Sequence, residues 1–203
     1  MISQNNLPRL HIVGDSISMH YGPYLEAMLA DVMHYSRKLG DGVDPESANG
    51  GDSSLVLAYL DQLRDRFDYL MLNCGLHDLR HDVITRAFQV SLDQYAANLQ
   101  AIVARARDIA PRLIWVRTTP VVDEVHNRIS TTFHRHAVDV DAYNTRADQV
   151  MRANRVPTID LFTFTRNLGQ DVYLDHVHYR EPIRAHQAAF IAGSLTQILK
   201  GTK

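Results

Sequence analysis

Cysteine is almost absent from this chain of 203 residues, in which Cys74 is the single cysteine. One cysteine excludes an internal disulfide framework and any zinc site built from several cysteines. An excess of one charge is also lacking, since 21 Lys and Arg stand against 23 Asp and Glu, for a formal net charge of −2. Without a basic excess, nucleic acid is not expected as a partner.

Long apolar runs are missing as well, and no stretch approaches the roughly 18 consecutive apolar residues of a membrane span. No membrane partner is therefore expected. The N-terminal segment 1–9 is polar and has no apolar signal-peptide core, so we expect a soluble, cytoplasmic protein. With 45% hydrophobic and 22% charged residues the composition is that of a globular chain. At roughly 150 residues per domain, residues 1–203 predict a single domain.

Short apolar runs alternate with longer segments of helical periodicity along the chain. Strands are predicted over 10–13, 32–36, 69–73, 113–116 and 156–161, helices over 23–30, 53–63, 87–110, 140–151 and from 182 onward, and loops over 39–51 and 121–138. Strands that are apolar on both faces are typical of a parallel sheet covered by helices on each side. The sequence therefore predicts an α/β fold, a three-layer α/β/α sandwich around a five-stranded parallel sheet. Ligands of such sheets bind beyond the carboxyl ends of the strands.

Ser16 comes directly after the first predicted strand, in the segment Gly14-Asp15-Ser16. A serine at a strand-to-helix turn lies near the positive end of the helix dipole, where free backbone N–H groups can face an oxyanion. The alternative is a simple helix cap, because Asp and Ser are favoured at that position.

A second polar segment, Asp175-His176-Val177-His178, precedes the last helix. A carboxylate three residues before a histidine can accept from Nδ1–H and fix the tautomer, which leaves Nε2 to accept a hydroxyl proton. One alternative is a polar turn without function. Another is a metal site formed by both histidines, which ranks below catalysis because no further ligand is evident nearby.

Two further turns lie at the same predicted edge of the sheet. Gly50 and Gly51 open a helix, and glycine there lets a backbone N–H approach a ligand closely. His77 follows the third strand, where its ring could project over the edge of the sheet. Taken singly, both patterns are also common in loops that have no function.

Together the four segments resemble the motifs of the SGNH hydrolases, the GDSL esterase/lipase superfamily, in the family's order and across almost the whole chain. They are Gly14-Asp15-Ser16, Asn49-Gly50-Gly51-Asp52, Gly75-Leu76-His77-Asp78 and Asp175-His176-Val177-His178. The resemblance implies a flavodoxin-like sandwich in which Ser16 is the nucleophile, His178 the base and Asp175 its partner. It further implies an oxyanion hole formed by the N–H groups of Ser16 and Gly51 and by the ring of His77, with no cofactor and no metal.

His77 departs from the family pattern, which usually has asparagine at this position. An asparagine amide always has an N–H to donate, whereas a neutral imidazole has one donor and one acceptor nitrogen. We interpret His77 as a functional substitution within a subfamily. The alternative is a weakened oxyanion hole.

The resemblance implies a serine esterase, and the remaining features bear on its substrate. Aromatic residues make up only 8% of the chain, and the sequence has no apolar insertion that could form a lid. Both features argue against a pocket for long-chain lipids. The loop over 121–138 is polar and includes Asp123, His126, Arg128, His134, Arg135 and His136. These features favour an acetyl ester of a carbohydrate. Two alternatives stay open, a thioesterase or lysophospholipase-like esterase on the same triad and a catalytically impaired carbohydrate-binding protein.

Overall fold

The computed structural model describes residues 7–40, 45–169 and 171–200. Their helices and strands are, in chain order, β1 (Arg9–Val13), α1 (Ser16–Leu29), β2 (His34–Arg37), α2 (Ser53–Gln62), β3 (Tyr69–Leu72), β4 (His81–Asp82), α3 (Leu92–Ile109), β5 (Arg112–Val116), α4 (Asp123–Ile129), β6 (Phe133–His134), α5 (Ala137–Ala153), β7 (Thr158–Ile159), α6 (Leu161–Arg166) and α7 (Glu181–Lys200). None of these described helices is both long enough and apolar enough to cross a membrane.

Five parallel strands form the central sheet in the order β2-β1-β3-β5-β7. This is the order of flavodoxin-like sheets, in which ligands bind where the strand order reverses, here between β1 and β3. Val13 lies opposite Leu72, and Leu72 lies opposite Trp115, so the carboxyl ends of three neighbouring strands reach one edge together. The prediction of an α/β fold with a five-stranded parallel sheet is confirmed.

The helices pack in two groups that cover the sheet. In one group α7 packs against α1 and α6, and in the other α3 packs against α2 and α5. The predicted apolar stripe of α3 is buried, including Leu99, Ile102 and Val103. The inner strands β3 and β5 are buried along almost their whole length, as their apolar sequences require.

Several element boundaries differ from the predictions. The first helix begins at Ser16 rather than at Pro23, because Asp15 caps it and Pro23 is accommodated inside it. The third helix begins at Leu92 rather than near 87, after Ser91, whose hydroxyl accepts the N–H of Gln94 at 3.3 Å. The predicted strand over 156–161 forms only Thr158–Ile159, and a short helix, α6, follows it.

The two predicted loops also contain regular structure. The loop over 121–138 holds α4 and β6, and β6 pairs antiparallel with β4, so that His134 lies opposite His81. The loop over 39–51 contains a 3-10 turn over Pro45–Ala48, and its residues 41–44 lie outside the described part of the chain.

Candidate active site

Ser16 is the first residue of α1, directly beyond the carboxyl end of β1. The helix cap is provided by Asp15, whose carboxylate accepts the N–H of Ile17 at 3.0 Å. Of the two capping residues that the sequence offered, Asp15 therefore serves this purpose and the Ser16 hydroxyl does not. The N–H of Gly50 donates to the carbonyl of Gly14 at 2.9 Å, which holds the second motif against the first.

His178 meets Ser16 across 162 positions of the chain. The Ser16 hydroxyl donates to His178 Nε2 at 2.9 Å, and His178 Nδ1 donates to Asp175 Oδ2 at 2.8 Å. These bonds connect carboxylate, imidazole and hydroxyl in one line. The segment that carries His178 is held to the turn after β5 by the hydroxyls of Tyr173 and Tyr179, which donate to the carbonyl of Pro120 at 3.0 and 2.9 Å.

Asp175 stays ionised in this arrangement. Partial burial by itself raises the pKa of the carboxyl, but the backbone N–H groups of His178 and Val177 and the His178 ring outweigh it and lower the pKa to about 2. Both N–H groups donate to Oδ1, at 2.8 and 2.9 Å, which leaves Oδ2 for the ring. An ionised Asp175 keeps the proton on Nδ1 of His178, so that Nε2 is the nitrogen that accepts from Ser16.

Three groups were predicted to donate to an oxyanion, and in the structure they differ in whether their N–H already has a hydrogen-bond partner. Neither the Ser16 N–H nor the His77 ring has a hydrogen-bond partner among residues 7–40, 45–169 and 171–200. The N–H of Gly51, in contrast, donates to the side-chain oxygen of Asn49 at 2.9 Å. Gly51 has a φ of +70°, and a Cβ there would lie 2.6 Å from a methyl of Leu55, so the turn requires glycine.

His77 is neutral. Burial lowers the pKa of its ring to about 3, and the nearby guanidinium groups of Arg80 and Arg135 contribute to this shift. A neutral ring carries one N–H, so it can donate one hydrogen bond to a substrate oxygen. The next residue, Asp78, is buried and accepts the N–H of Ser53 at 2.9 Å, which joins the His77 turn to the start of α2.

Residues of the loop over 121–138 also lie near this centre, and the sequence analysis connected them only with the polarity of the substrate. Arg135 is only 3% exposed and donates to the carbonyl of Leu76 at 2.6 Å and to His126 Nε2 at 2.8 Å. The ring of His126 packs against His176, with centroids 4.6 Å apart. The polar composition of this loop was the available signal, but polarity alone does not indicate burial.

The metal alternative rested on His176 and His178. Their ring centroids lie 6.4 Å apart, and His178 is engaged on both nitrogens by Asp175 and Ser16. Within the described ranges no group of three or more His, Cys, Asp or Glu side chains is arranged to hold a metal ion.

A family model matches most of the chain. Residues 12–182 match the model of the GDSL-like Lipase/Acylhydrolase family. The chain belongs to this family. A search of curated proteins found no match.

Solved structures share the fold at low sequence identity. A lipase/acylhydrolase from Enterococcus faecalis has a TM-score of 0.70 at 13% identity, over 93% of this chain and 95% of that chain. An acetylxylan esterase from Geobacillus stearothermophilus has a TM-score of 0.67 at 15% identity, over 91% and 92%. A GDSL-like lipase from Bacteroides thetaiotaomicron has a TM-score of 0.67 at 12% identity, over 97% and 89%.

Buried histidines make the stability of this family member depend on pH. Burial lowers the pKa of His11, His20 and His126 to about 4 and that of His77 to about 3, from an ordinary value of 6.5. Below pH 6.5 the unfolded chain therefore binds protons that the folded chain does not. The four neutral histidines therefore contribute fully to the stability of the fold above pH 6.5, and this contribution is lost as the pH falls toward 4.

Two buried carboxyls act in the opposite direction. Burial raises the pKa of Asp78 to about 7 and also raises the pKa of Asp15. Four imidazoles outweigh two carboxyls, so we expect the melting temperature to fall between pH 7.5 and pH 5. The fall should be smaller in His11→Gln than in the wild type, whereas the control His186→Gln, at an exposed position, should match the wild type. A melting temperature that is constant over this range would contradict the expectation.

Proposed function

We propose that this protein is a serine esterase that removes an acetyl group from a carbohydrate, with Ser16 as nucleophile, His178 as base and Asp175 as the residue that orients the base. The observation that carries the proposal is the continuous line of hydrogen bonds from Asp175 through His178 to Ser16, at 2.8 and 2.9 Å. No cofactor is required by this mechanism.

The reaction proceeds through an acyl-enzyme in two stages. His178 Nε2 takes the hydroxyl proton of Ser16 while Oγ attacks the ester carbonyl, and the same nitrogen then protonates the departing alcohol. A water molecule repeats the sequence on the acyl-enzyme, releases the acid and restores the Ser16 hydroxyl. Asp175 stabilises the imidazolium that forms in both stages.

In this proposal the charge on the carbonyl oxygen is met by the N–H of Ser16, the ring N–H of His77 and the N–H of Gly51. The first two have no partner among the described residues, and they are ready to donate. Gly51 must exchange its bond to Asn49 for one to the substrate. We therefore propose that the Asn49 side chain turns away when the ester binds.

The groove beside these donors favours a hydroxylated ligand. It has a volume of about 700 Å³ and is bordered by Asn49, Gly51, Gln62 and His77, with the ring of Tyr59 on one wall. Polar side chains can bind sugar hydroxyls, and an aromatic ring can pack on a sugar face. The fold is shared with an acetylxylan esterase, a protein that acts on an acetylated polysaccharide, which is consistent with the same substrate class.

The proposal is tested by acetate release from a panel of acetylated sugars and polysaccharides, alongside p-nitrophenyl esters of increasing chain length. We expect the highest kcat/KM for acetyl esters and a steep decline beyond butyryl. An optimum at long acyl chains would instead support the lipid-esterase alternative.

The role of His77 is tested by two substitutions. His77→Asn restores an N–H donor and should keep the rate within about tenfold of the wild type, whereas His77→Ala should lower kcat by about 10²- to 10³-fold. The comparison is made on p-nitrophenyl acetate. Equal rates for the two variants, both near the wild-type value, would show that His77 does not contact the oxyanion.

A further inference from the structure

Two arginine side chains near the oxyanion donors lack carboxylate partners. The guanidinium groups of Arg80 and Arg135 lie 4.5 and 4.9 Å from the ring centroid of Phe133. Across the described ranges, neither has a carboxylate oxygen within 4.0 Å. Buried or partly buried cations are normally paired, so two of them on one ring require an explanation.

Arg135 is held rigidly but is not neutralised. Its bonds go to the carbonyl of Leu76 and to His126 Nε2, which accepts and is therefore unprotonated. The proton of His126 then lies on Nδ1, which donates to Asn127 at 3.1 Å. All of these hydrogen-bond partners are uncharged, so Arg135 has no direct ion pair, and the Asp15 carboxylate attracts its charge only from a distance.

Arg80 lines a cleft and lies close enough to His77 for its charge to lower the pKa of that ring. Its backbone N–H donates to the carbonyl of His77 at 3.4 Å, and its Nε is buried without a partner. The cleft, of about 360 Å³, is also lined by Gln89 and Phe133. The Gln89 amide donates to Asp52, the neighbour of Gly51, at 3.5 Å. Hydrogen bonds from Arg80 and Gln89 therefore connect the lining of the cleft to the turn of His77 and to Asp52.

Three carboxylates lie in this region, Asp82 in the cleft lining and Asp15 and Asp52 close enough to attract the charge of Arg80. Asp82 also lines the cleft, but its Oδ1 accepts the N–H groups of Ile84 and Thr85 at 2.9 and 2.7 Å. Asp15 and Asp52 cap α1 and α2 through their own backbone N–H bonds. Each carboxylate thus stabilises a turn or a helix end, and none of the three pairs with a guanidinium.

We propose that Arg80, with Arg135 behind it, binds an anionic group of the ester substrate, a carboxylate or a phosphate carried by the sugar. This rests on the proposed function and narrows its substrate class to acidic carbohydrate esters. Guanidinium groups match the planar oxygens of both anions and can donate two parallel hydrogen bonds. The anion would occupy the cleft while the ester carbonyl faces Ser16 and His77.

The test compares three acetylated substrates that share one sugar ring, namely a methyl glucuronoside, a methyl glucoside 6-phosphate and an uncharged methyl glucoside. For the wild type we expect kcat/KM to be about 10- to 100-fold higher for at least one anionic substrate, the range expected for hydrogen bonds to charged groups. Arg80→Gln should abolish this preference by raising KM for the anionic substrate. Activity on the uncharged substrate should fall far less than activity on the anionic substrate, and an unchanged melting temperature shows that the variant is folded.

A matched control removes the same charge from the same segment. Arg86 is exposed and does not line the cleft, so Arg86→Gln should keep the preference, and Arg80→Lys should recover part of it. The proposal is overturned if the wild type shows no preference, or if Arg86→Gln lowers it as much as Arg80→Gln does. If all three substrates are hydrolysed at equal rates that depend on Ser16, the anion site is refuted and the proposed deacetylase function stands. If none of the three is hydrolysed through Ser16, the deacetylase function fails and the anion site fails with it.

Discussion

Replacing Ser16 with alanine is expected to remove ester hydrolysis almost entirely, with kcat lower by about 10⁴- to 10⁶-fold. In the proposed mechanism, the substitution deletes the oxygen that attacks the carbonyl. It leaves the helix cap in place, because Asp15 and not Ser16 accepts the N–H of Ile17. The variant should therefore fold normally, with an unchanged melting temperature. The loss is measured as the rate of acetate release and as reaction with a serine-directed fluorophosphonate.

A second serine provides the control. Ser54 lies near the start of α2 and is exposed, so Ser54→Ala should keep both activity and labelling. Labelling of the Ser16→Ala variant at the wild-type rate would refute the assignment of the nucleophile. A wild-type protein that does not react with the probe would favour the impaired carbohydrate-binding alternative over an esterase.

Asp175→Asn should lower kcat by about 10⁴-fold without a comparable change in stability. The carboxylate fixes the proton on Nδ1 of His178 through a bond of 2.8 Å. An amide in its place can direct an NH₂ group toward the ring, which favours the tautomer with its proton on Nε2 and removes the acceptor for Ser16. The Asp175 side chain is 41% exposed, so its hydrogen bond to His178 contributes little to stability.

The matched control for this prediction is Asp171→Asn, in the same segment. Asp171 is 86% exposed and pairs with Arg180 at 2.6 Å, away from the Ser16–His178 hydrogen bond. Its kcat should equal that of the wild type. If Asp175→Asn hydrolysed p-nitrophenyl acetate at a rate close to that of Asp171→Asn, His178 would not depend on Asp175 for its orientation.

The sheet was predictable from the sequence because its inner strands are short, apolar on both faces and followed by polar turns. The meeting of Ser16 and His178 was implied by the resemblance of their motifs to those of the SGNH hydrolases, because His178 lies between α6 and α7 and follows no strand of the sheet. The start of α1 was misplaced because Pro23 is favoured in a first turn, yet here it lies inside the helix. The short helix α4 was missed because seven residues show too little apolar periodicity to be recognised.

Parts of the site could not be predicted because they depend on tertiary packing. Asn49 and Gly51 are two positions apart, but only the folded turn shows that the N–H of Gly51 is already engaged. Arg135 is polar in sequence and lies in a predicted loop, which indicated exposure. Its burial follows from its contact with Leu76, 59 positions away, and no local pattern encodes that contact.

The anchoring of residues 171–180 to Pro120 has a consequence for how activity is acquired. In the proposed mechanism, the nucleophile and the oxyanion donors belong to segments held by the sheet and α2, whereas His178 belongs to residues 171–180, which are held by the bonds to Pro120. A chain whose sheet had formed but whose residues 171–180 had not docked would lack the proposed base and would not hydrolyse the ester. If the proposed mechanism holds, the recovery of turnover during refolding requires the docking of residues 171–180 as well as the formation of the sheet.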